Sequence, residues 1–85
     1  MMWKITYETQ VQKFLKKSQK TLQIRILKFL KNIAENPRLH GKSLTGGLRG
    51  LWRYRVGDYR IICELKDKEL TVLVIDIGHR SNVYK

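Results

Sequence analysis

The sequence predicts an α+β domain in which two helices pack on one face of a small, mainly antiparallel sheet. Two stretches with helical spacing of apolar residues follow a first alternating strand, and three further strand patterns come after them. The order is therefore β-α-α-β-β-β, with four strands. The chain has 85 residues and contains no linker, repeat or low-complexity segment, which predicts one domain over residues 1–85.

The first strand and the first helix are short. The stretch Trp3–Tyr7 alternates apolar and polar residues, as a half-buried strand does. Thr9 and Gln12 then have the spacing of a capping box, which predicts that Thr9 caps the first helix. Apolar residues on one face continue this helix to the neighbourhood of Lys17.

The second helix is longer, and Ser18 or Thr21 is its expected cap. The Asn36-Pro37 pair ends it, because proline disfavours the α conformation in the residue before it. A basic, glycine-rich loop over Arg38–Gly50 follows. The apolar stripe of the helix repeats at spacings of three and four and consists of Leu22, Ile26, Phe29, Leu30 and Ile33.

Three strand patterns fill the C-terminal half. The stretches Gly50–Val56 and Tyr59–Leu65 surround a Gly57-Asp58 turn. The last strand, Leu70–Ile77, is apolar on both parities, which predicts a central strand covered on both faces. Gly78 is expected to break this strand.

The Gly57-Asp58 turn also predicts the register of the hairpin. A two-residue loop with glycine first suits a type II′ or I′ turn, and it places apolar residues opposite apolar residues and Arg55 opposite Arg60. Along the first strand of the hairpin, Leu51, Arg53 and Arg55 share one face, and Trp52, Tyr54 and Val56 share the other. The three arginines are therefore expected on the side of the sheet that faces away from the helices.

Two directly opposed arginines destabilise a hairpin, since the Cβ atoms of such a pair lie only about 4.5–5.5 Å apart. An anion held between the two guanidinium groups offsets this repulsion. We therefore predict that Arg53, Arg55 and Arg60 form a phosphate-binding surface on a rigid sheet.

The net charge points to the same kind of partner. Lysine and arginine number 18 against 7 acidic residues, and the resulting formal charge of +11 indicates a polyanion such as nucleic acid or an acidic protein. Cys63 is the single cysteine and has the parity of apolar neighbours, so we expect an inert core thiol, no disulfide and no dedicated zinc site. No apolar run has the length of a signal peptide or a membrane span, which predicts a cytoplasmic protein.

Three motifs carry a resemblance to a known family. The stretch Gly50–Tyr59, the following Arg60-Ile61-Ile62 and the ending Ile77-Gly78-His79-Arg80-x-x-Val83-Tyr84 resemble the RelE/ParE superfamily of bacterial toxins. The resemblance covers essentially the whole chain in element order and length. Both branches of the superfamily share the first motif, and the last one points to RelE-type ribosome-dependent mRNA endonucleases of type II toxin–antitoxin systems.

The resemblance implies a set of site residues and a reaction. The reaction is attack of a 2′-hydroxyl on the adjacent phosphate, which leaves a 2′,3′-cyclic phosphate and a 5′-hydroxyl and needs no metal and no cofactor. Arg80 is expected to stabilise or protonate the leaving oxygen, and Tyr84 to stack on a base or to orient the nucleophile. The positions that carry cleavage in RelE-type enzymes match Arg53, Arg55, Arg60, Arg80 and Tyr84. The expected RNA contacts are Lys42, Arg49, Arg53, Arg55 and Arg60.

The general base is left open by the sequence. The best-known RelE enzymes carry lysine at the positions of Arg53 and Arg55, and arginine, with a pKa above roughly 12, does not lose its proton in a protein. His79 has a suitable reference pKa of about 6.5. Glu64 shares the strand parity of Arg60. For His79 a role as an ordinary surface residue stays open, and for Glu64 a role in balancing charge.

Partners and competing functions follow from the same resemblance. A RelE-type toxin is expected to act on the ribosome and its mRNA, and to be held in a hetero-oligomer by an acidic or amphipathic RelB-like antitoxin. A ParE-like toxin, with the same fold and charge, instead inhibits DNA gyrase by binding and cleaves nothing. A basic RNA-binding module whose antitoxin has been lost is the third alternative.

Overall fold

The computed structural model describes residues 2–48 and 50–79. Three residues of the expected site, Arg49, Arg80 and Tyr84, lie outside the described residues. In the described part of the chain, no helix is long and apolar enough to cross a membrane.

Two helices and five strands make up the regular structure, joined in part by short 3₁₀ turns. The helices are α1 (Thr9–Lys17) and α2 (Lys20–Ile33). The strands are β1 (Lys4–Tyr7), β2 (Lys42–Ser43), β3 (Leu51–Val56), β4 (Tyr59–Lys66) and β5 (Thr71–His79). The element order confirms the predicted α+β class, with one more strand than predicted.

The sheet is mixed and has the strand order β1-β5-β4-β3-β2. β1 runs parallel to β5, and the other three pairings are antiparallel. The prediction of four strands was wrong, because β2 lies within the basic loop and pairs only Lys42 with Arg53 and Ser43 with Trp52. A strand of two residues has no periodicity of its own and exists only through its partner.

The helices pack on one face of this sheet and bury the core there. From the sheet, Tyr54, Ile61 and Cys63 turn towards them, and all three are buried. The predicted stripe of α2 supplies the other side, where Ile26, Leu30 and Ile33 are fully buried. Leu22 and Phe29 of the same stripe pack at the margin of the core. The prediction that Cys63 is a core thiol is confirmed.

Both helix starts differ from the prediction. Glu8, and not Thr9, is the residue before α1, and the Gln12 side-chain amide donates to the carbonyl of Tyr7 at 3.0 Å instead of completing a capping box. Ser18 follows the last residue of α1 and donates its hydroxyl to the Phe14 carbonyl. A short polar side chain between two helices can cap the start of the second helix or donate to a carbonyl at the end of the first, and packing decides between these two roles.

β5 is an interior strand between β1 and β4, but the prediction that both of its faces are covered was wrong, because Leu73 and Ile75 are only half-buried and Asp76 is exposed. The strand also ends later than predicted. It continues through Gly78, which pairs with Arg60, to His79. A bulge lies within its pairing to β4, because Ile62 pairs with Asp76 and the next residue, Cys63, pairs with Val74. The bulge lets residues at an odd spacing, Val74 and Ile77, both be buried.

Candidate nucleic-acid interface

The hairpin of β3 and β4 has the predicted register. Val56 pairs with Tyr59 beside the turn, and Arg55 pairs with Arg60 directly opposite. Gly57 opens the turn with a positive φ of 59°, the conformation that glycine adopts without strain. The two guanidinium groups therefore leave the sheet from neighbouring points on the same face.

A third arginine completes this surface, which we call the arginine surface and define as Arg53, Arg55 and Arg60. Arg53 pairs with Ile62 and stands two residues before Arg55, so the two side chains start on the same face. β2 adds Lys42 directly opposite Arg53. Arg55 is exposed, and Arg53 and Arg60 are half-buried. The structure thus brings together four of the residues expected to contact RNA.

Two carboxylates share the face of the arginine surface. Glu64 lies two pairs along β4 from Ile62, and it is exposed. Asp76 pairs with Ile62, which pairs in turn with Arg53 on the other side, so Asp76 starts on the same face of the sheet as the arginines. Sequence reasoning missed Asp76, although it is the only charged residue within the apolar run of β5.

His79 lies away from the arginine surface. It pairs with Tyr59, whose side chain is on the helix side of the sheet together with that of its other partner, Val56. The rings of His79 and Tyr59 meet edge to face with centroids 5.4 Å apart, and the ring of Phe14 in α1 lies 6.1 Å from that of the same tyrosine. Its pairing with Tyr59 thus places this histidine on the opposite side of the sheet from Arg53, Arg55 and Arg60.

The segment before β2 is held against the sheet by three contacts. The Trp52 indole donates to the His40 carbonyl at 2.6 Å, and the Tyr54 hydroxyl donates to the Pro37 carbonyl at 2.8 Å. At Gly41, with a φ of 72°, a Cβ atom would lie 2.3 Å from the carbonyl oxygen of Arg53. This close approach of backbone to backbone sets Lys42 beside the arginine surface.

Arg38 has a different partner from the other arginines. Its guanidinium forms a two-pronged ion pair with Asp67, at 2.6 and 3.0 Å, and its central carbon lies 5.8 Å from the centre of the Trp52 ring. The Arg38 hydrogen bonds hold the pKa of the Asp67 carboxyl below its usual value. Arg38 therefore ties the loop to the β4–β5 connection instead of adding to the arginine surface.

The buried Cys63 thiol and Tyr54 hydroxyl are not candidates for a nucleophile or a base. Burial raises the pKa of the Cys63 thiol to about 12, so the thiol stays protonated at neutral pH. Burial also raises the pKa of Tyr54, whose hydroxyl is already a donor to Pro37. Among residues 2–48 and 50–79, histidine, cysteine and acidic side chains form no group of three that could hold a metal ion.

The sequence matches the model of a known protein family over nearly its whole length. The model of the family described as ParE toxin of type II toxin–antitoxin system, parDE, matches residues 5–84. The chain belongs to the ParE toxin family. The matched range includes both helices, the arginine surface and the five described strands except Lys4, the first residue of β1.

Curated relatives of this ParE-family chain carry RelE-type names. Toxin RelG of Mycobacterium tuberculosis is 30% identical over 54 residues, which are 64% of this chain and 62% of that protein. Toxin RelE of the same organism is 38% identical over 53 residues, which are 62% of this chain and 55% of that protein. The matched part thus spans less than two thirds of the length of either relative.

Solved structures share the fold over nearly the whole chain. The toxin–antitoxin complex RelBE2 of M. tuberculosis matches with a TM-score of 0.87 and 23% identity, covering 96% of this chain and 95% of that one. A mutant of E. coli toxin RelE in the free state matches with a TM-score of 0.82 and 21% identity, covering 98% and 88%. The archaeal RelE–RelB complex of Pyrococcus horikoshii matches with a TM-score of 0.76 and 26% identity, covering 98% and 100%. These likenesses show the two-helix, mixed-sheet fold.

Proposed function

We propose that this ParE-family chain is a toxin that cleaves mRNA on the ribosome without a metal ion. The observation that carries the proposal is the direct pairing of Arg55 with Arg60, with Arg53 on the same face. Opposed like charges lower the stability of a hairpin, and a bound phosphate between them reverses that effect. The RelE-type names of the curated relatives support RNA as the source of this phosphate.

The proposed reaction uses a nucleophile that RNA itself supplies. The 2′-hydroxyl loses its proton and attacks the adjacent phosphorus, a new P–O2′ bond forms, and the P–O5′ bond breaks. The leaving 5′ oxygen takes up a proton, so the products are a 2′,3′-cyclic phosphate and a 5′-hydroxyl. The arginine surface orients the phosphate for in-line attack and stabilises the charge that grows on its oxygens.

Proton transfer needs groups other than the arginines, because guanidinium groups do not act as bases. The ring of His79 lies against Tyr59 on the helix side, which argues against it. Among the described strand residues, Glu64 and Asp76 are carboxylates on the correct face, and we propose that one of them accepts the proton. Arg80 and Tyr84 are proposed, from the resemblance alone, to serve the leaving oxygen and the base next to it.

The proposed partners are the ribosome with its mRNA and an antitoxin. Solved relatives in this fold include RelE–RelB complexes. A net charge of +11 favours an acidic, RelB-like antitoxin that covers the basic surface and forms a hetero-oligomer with the toxin.

A second function is supported by the family model, whose description names the ParE toxin. In that case the chain inhibits DNA gyrase by binding and cleaves no RNA. The two functions differ in their product: the first shortens mRNA at positions set by ribosomes, and the second leaves all RNA intact.

The test is cleavage in a translation extract. Purified toxin is added to a reporter mRNA under translation, and 5′ ends are mapped with and without an inhibitor that blocks ribosome loading. We expect new ends only with loaded ribosomes, and at least a hundredfold slower cleavage for Arg55→Ala and Arg60→Ala because each removes charge stabilisation of about 3 kcal/mol. Lys13→Ala, which removes an exposed charge from α1, is the matched control and should cleave at the wild-type rate.

Metal independence is tested separately. Salt-washed ribosomes keep their magnesium, and the toxin is dialysed against EDTA before mixing. Unchanged cleavage agrees with the 2′-hydroxyl mechanism. Intact mRNA together with inhibited supercoiling by purified gyrase would replace the first function by the second.

A further inference from the structure

A groove runs along the open edge of β3, between that strand and α2. β2 covers only Arg53 and Trp52, and no other described strand lies beside Tyr54–Val56 on that edge. Two cavities, of about 380 and 390 Å³, lie along this edge. Phe29 and Arg55 line both, so the two cavities adjoin and form one edge groove.

The edge groove is strongly cationic. Arg25 and Lys28 line it from α2, and Lys42, Arg53 and Arg55 line it from the sheet. Among the described residues that line either cavity, none is acidic. Five positive charges around one groove, without a carboxylate among them, indicate a polyanionic ligand.

Arg25 is placed at the end of the groove by the hairpin turn. Its guanidinium atoms lie 2.9–3.1 Å from the point where a Cβ atom at Gly57 would be. A side chain at this turn position would push the guanidinium away. The glycine that forms the turn thus also lets Arg25 stand beside Arg55, which is part of the arginine surface.

Phe29, which lines both cavities, presents an aromatic ring in the groove. Phe29 is half-buried, and its ring meets that of Tyr54 edge to face with centroids 5.8 Å apart. Asn32, one turn further along α2, adds a side-chain amide with both donor and acceptor atoms. An aromatic ring, an amide and several cations are the combination that binds single-stranded nucleic acid, through stacked bases and held phosphates.

We infer that the edge groove binds the stretch of single-stranded RNA that adjoins the phosphate held by Arg55 and Arg60. The inference rests on the proposed function, because it treats that phosphate as part of the substrate. An acidic peptide would match the charges too. Continuity with Arg53 and Arg55, and the aromatic ring between the cations, favour one RNA strand that passes from the arginine surface around the sheet edge into the groove.

The experiment measures binding without cleavage and without ribosomes. The probe is a short single-stranded 2′-O-methyl oligoribonucleotide, which lacks the attacking hydroxyl, and binding is followed by fluorescence anisotropy over a range of salt concentrations. The variants are the double change Arg25→Ala with Lys28→Ala, and the single change Phe29→Leu. The control is Lys13→Ala with Lys17→Ala, which removes two exposed charges from one face of α1. Melting curves check that each variant is folded.

The expected results differ between the variants. The Arg25/Lys28 variant should bind at least tenfold more weakly, and the slope of log K against log salt should fall by about 1.4, or 0.7 for each lost phosphate contact. Phe29→Leu should weaken binding about fivefold or more with the slope unchanged, because stacking does not release counterions. The control should bind within twofold of the wild type with the slope preserved.

Three results would overturn the inference: no binding of the oligonucleotide by the wild-type chain, groove variants that bind like the control, or groove variants that bind RNA normally but lose binding of a polyglutamate peptide. The last result would make the groove a protein-docking surface. The proposed function fails separately. If the oligonucleotide binds in the groove but the wild-type chain leaves mRNA intact, the groove inference holds and the proposed nuclease function is refuted. If the chain cleaves mRNA but the groove variants bind RNA normally, the nuclease function holds and the groove inference is refuted.

Discussion

The arginines of this chain differ in what lies beside them, and this difference distinguishes Arg38 from Arg55. Arg38 has a carboxylate partner, Asp67, and stacks near Trp52, so its charge is already satisfied within the fold. Arg55 instead faces another arginine across the hairpin. Because an exposed ion pair contributes at most about 1 kcal/mol, Arg38 fixes a loop more than it stabilises the whole molecule.

Cys63 allows a prediction at the scale of one residue. Its side chain is fully buried, so a thiol reagent at pH 8 should react only as fast as the protein unfolds. Labelling with a chromogenic disulfide should therefore speed up in parallel with urea unfolding. Reaction in the native protein at the rate of a free thiol would show that this part of the core opens locally.

The same thiol should make stability fall in alkali. Burial raises the pKa of Cys63 from 9.0 to about 12, so the folded state keeps a proton that the unfolded chain releases. Below pH 9 the thiol is protonated in both states and does not change the free energy of unfolding. As the pH rises from 9 towards 12, only the unfolded chain ionises, and the resulting fall in the free energy of unfolding is the contribution of this thiol. Urea unfolding of wild type and Cys63→Ala over this range isolates the contribution as their difference, and parallel curves would contradict it.

At the scale of elements, the segment around Gly41 decides whether β2 forms. It carries no periodic signal, and it is held by the donors of Trp52 and Tyr54 and by the close approach of Gly41 to β3. Since Lys42 follows Gly41 directly, the position of this cation depends on backbone contacts and not on its own side chain. β2 is therefore an element made by its neighbours.

A pair of glycine substitutions tests this element. Gly41 and Gly46 both have a positive φ, of 72° and 67°, but a Cβ atom at Gly41 would clash with the Arg53 carbonyl and one at Gly46 would meet nothing within 4 Å. Gly46→Ala should cost only the strain of the left-handed conformation, about 1 kcal/mol of unfolding free energy. Gly41→Ala adds a backbone clash and should cost roughly 2–4 kcal/mol.

Urea unfolding measures the two costs, and oligonucleotide binding shows whether Lys42 has been displaced. Equal losses of stability in the two variants would mean that the segment gives way without resistance. In that case β2 would not hold Lys42 beside the arginine surface.

At the scale of the whole molecule, the net charge of +11 opposes folding by self-repulsion. Salt should therefore stabilise this protein by screening, and an anion that binds the arginine surface should add to that effect by mass action. We expect inorganic phosphate to raise the melting temperature more than chloride does at equal ionic strength.

Substitution of the arginine surface tests why phosphate raises the melting temperature more than chloride does. In the double variant Arg55→Ala with Arg60→Ala, the difference in melting temperature between phosphate and chloride should shrink to the part caused by general salt effects. In the Lys13→Ala control the full difference should persist. An excess of the same size in all three proteins would mean that phosphate acts through the bulk solvent, without a site on the sheet.

The fold follows largely from patterns that are local in the chain. The apolar stripe of α2 and the alternation along β3 depend only on the covalent periodicity of helix and strand, and both were predicted. The register of the hairpin was predicted too, because Gly57-Asp58 sets it within four residues. The caps of both helices were mispredicted: Glu8 and Gln19 precede α1 and α2. A hydroxyl side chain such as that of Ser18 or Thr9 can hydrogen-bond at more than one position near a helix end, so neighbouring elements decide the boundary.

The sequence by itself determined the arginine surface: alternation and a two-residue turn place Arg53, Arg55 and Arg60 on one face in any structure that forms this hairpin. The tertiary structure alone decided what surrounds it. The continuation of β5 through Gly78 paired His79 with Tyr59 and turned it to the helix side, and the register of β5 put Asp76 on the arginine side. The edge groove joins α2 to β3, which are far apart in the chain, and contacts of that kind depend on packing between elements and leave no periodic trace in the sequence.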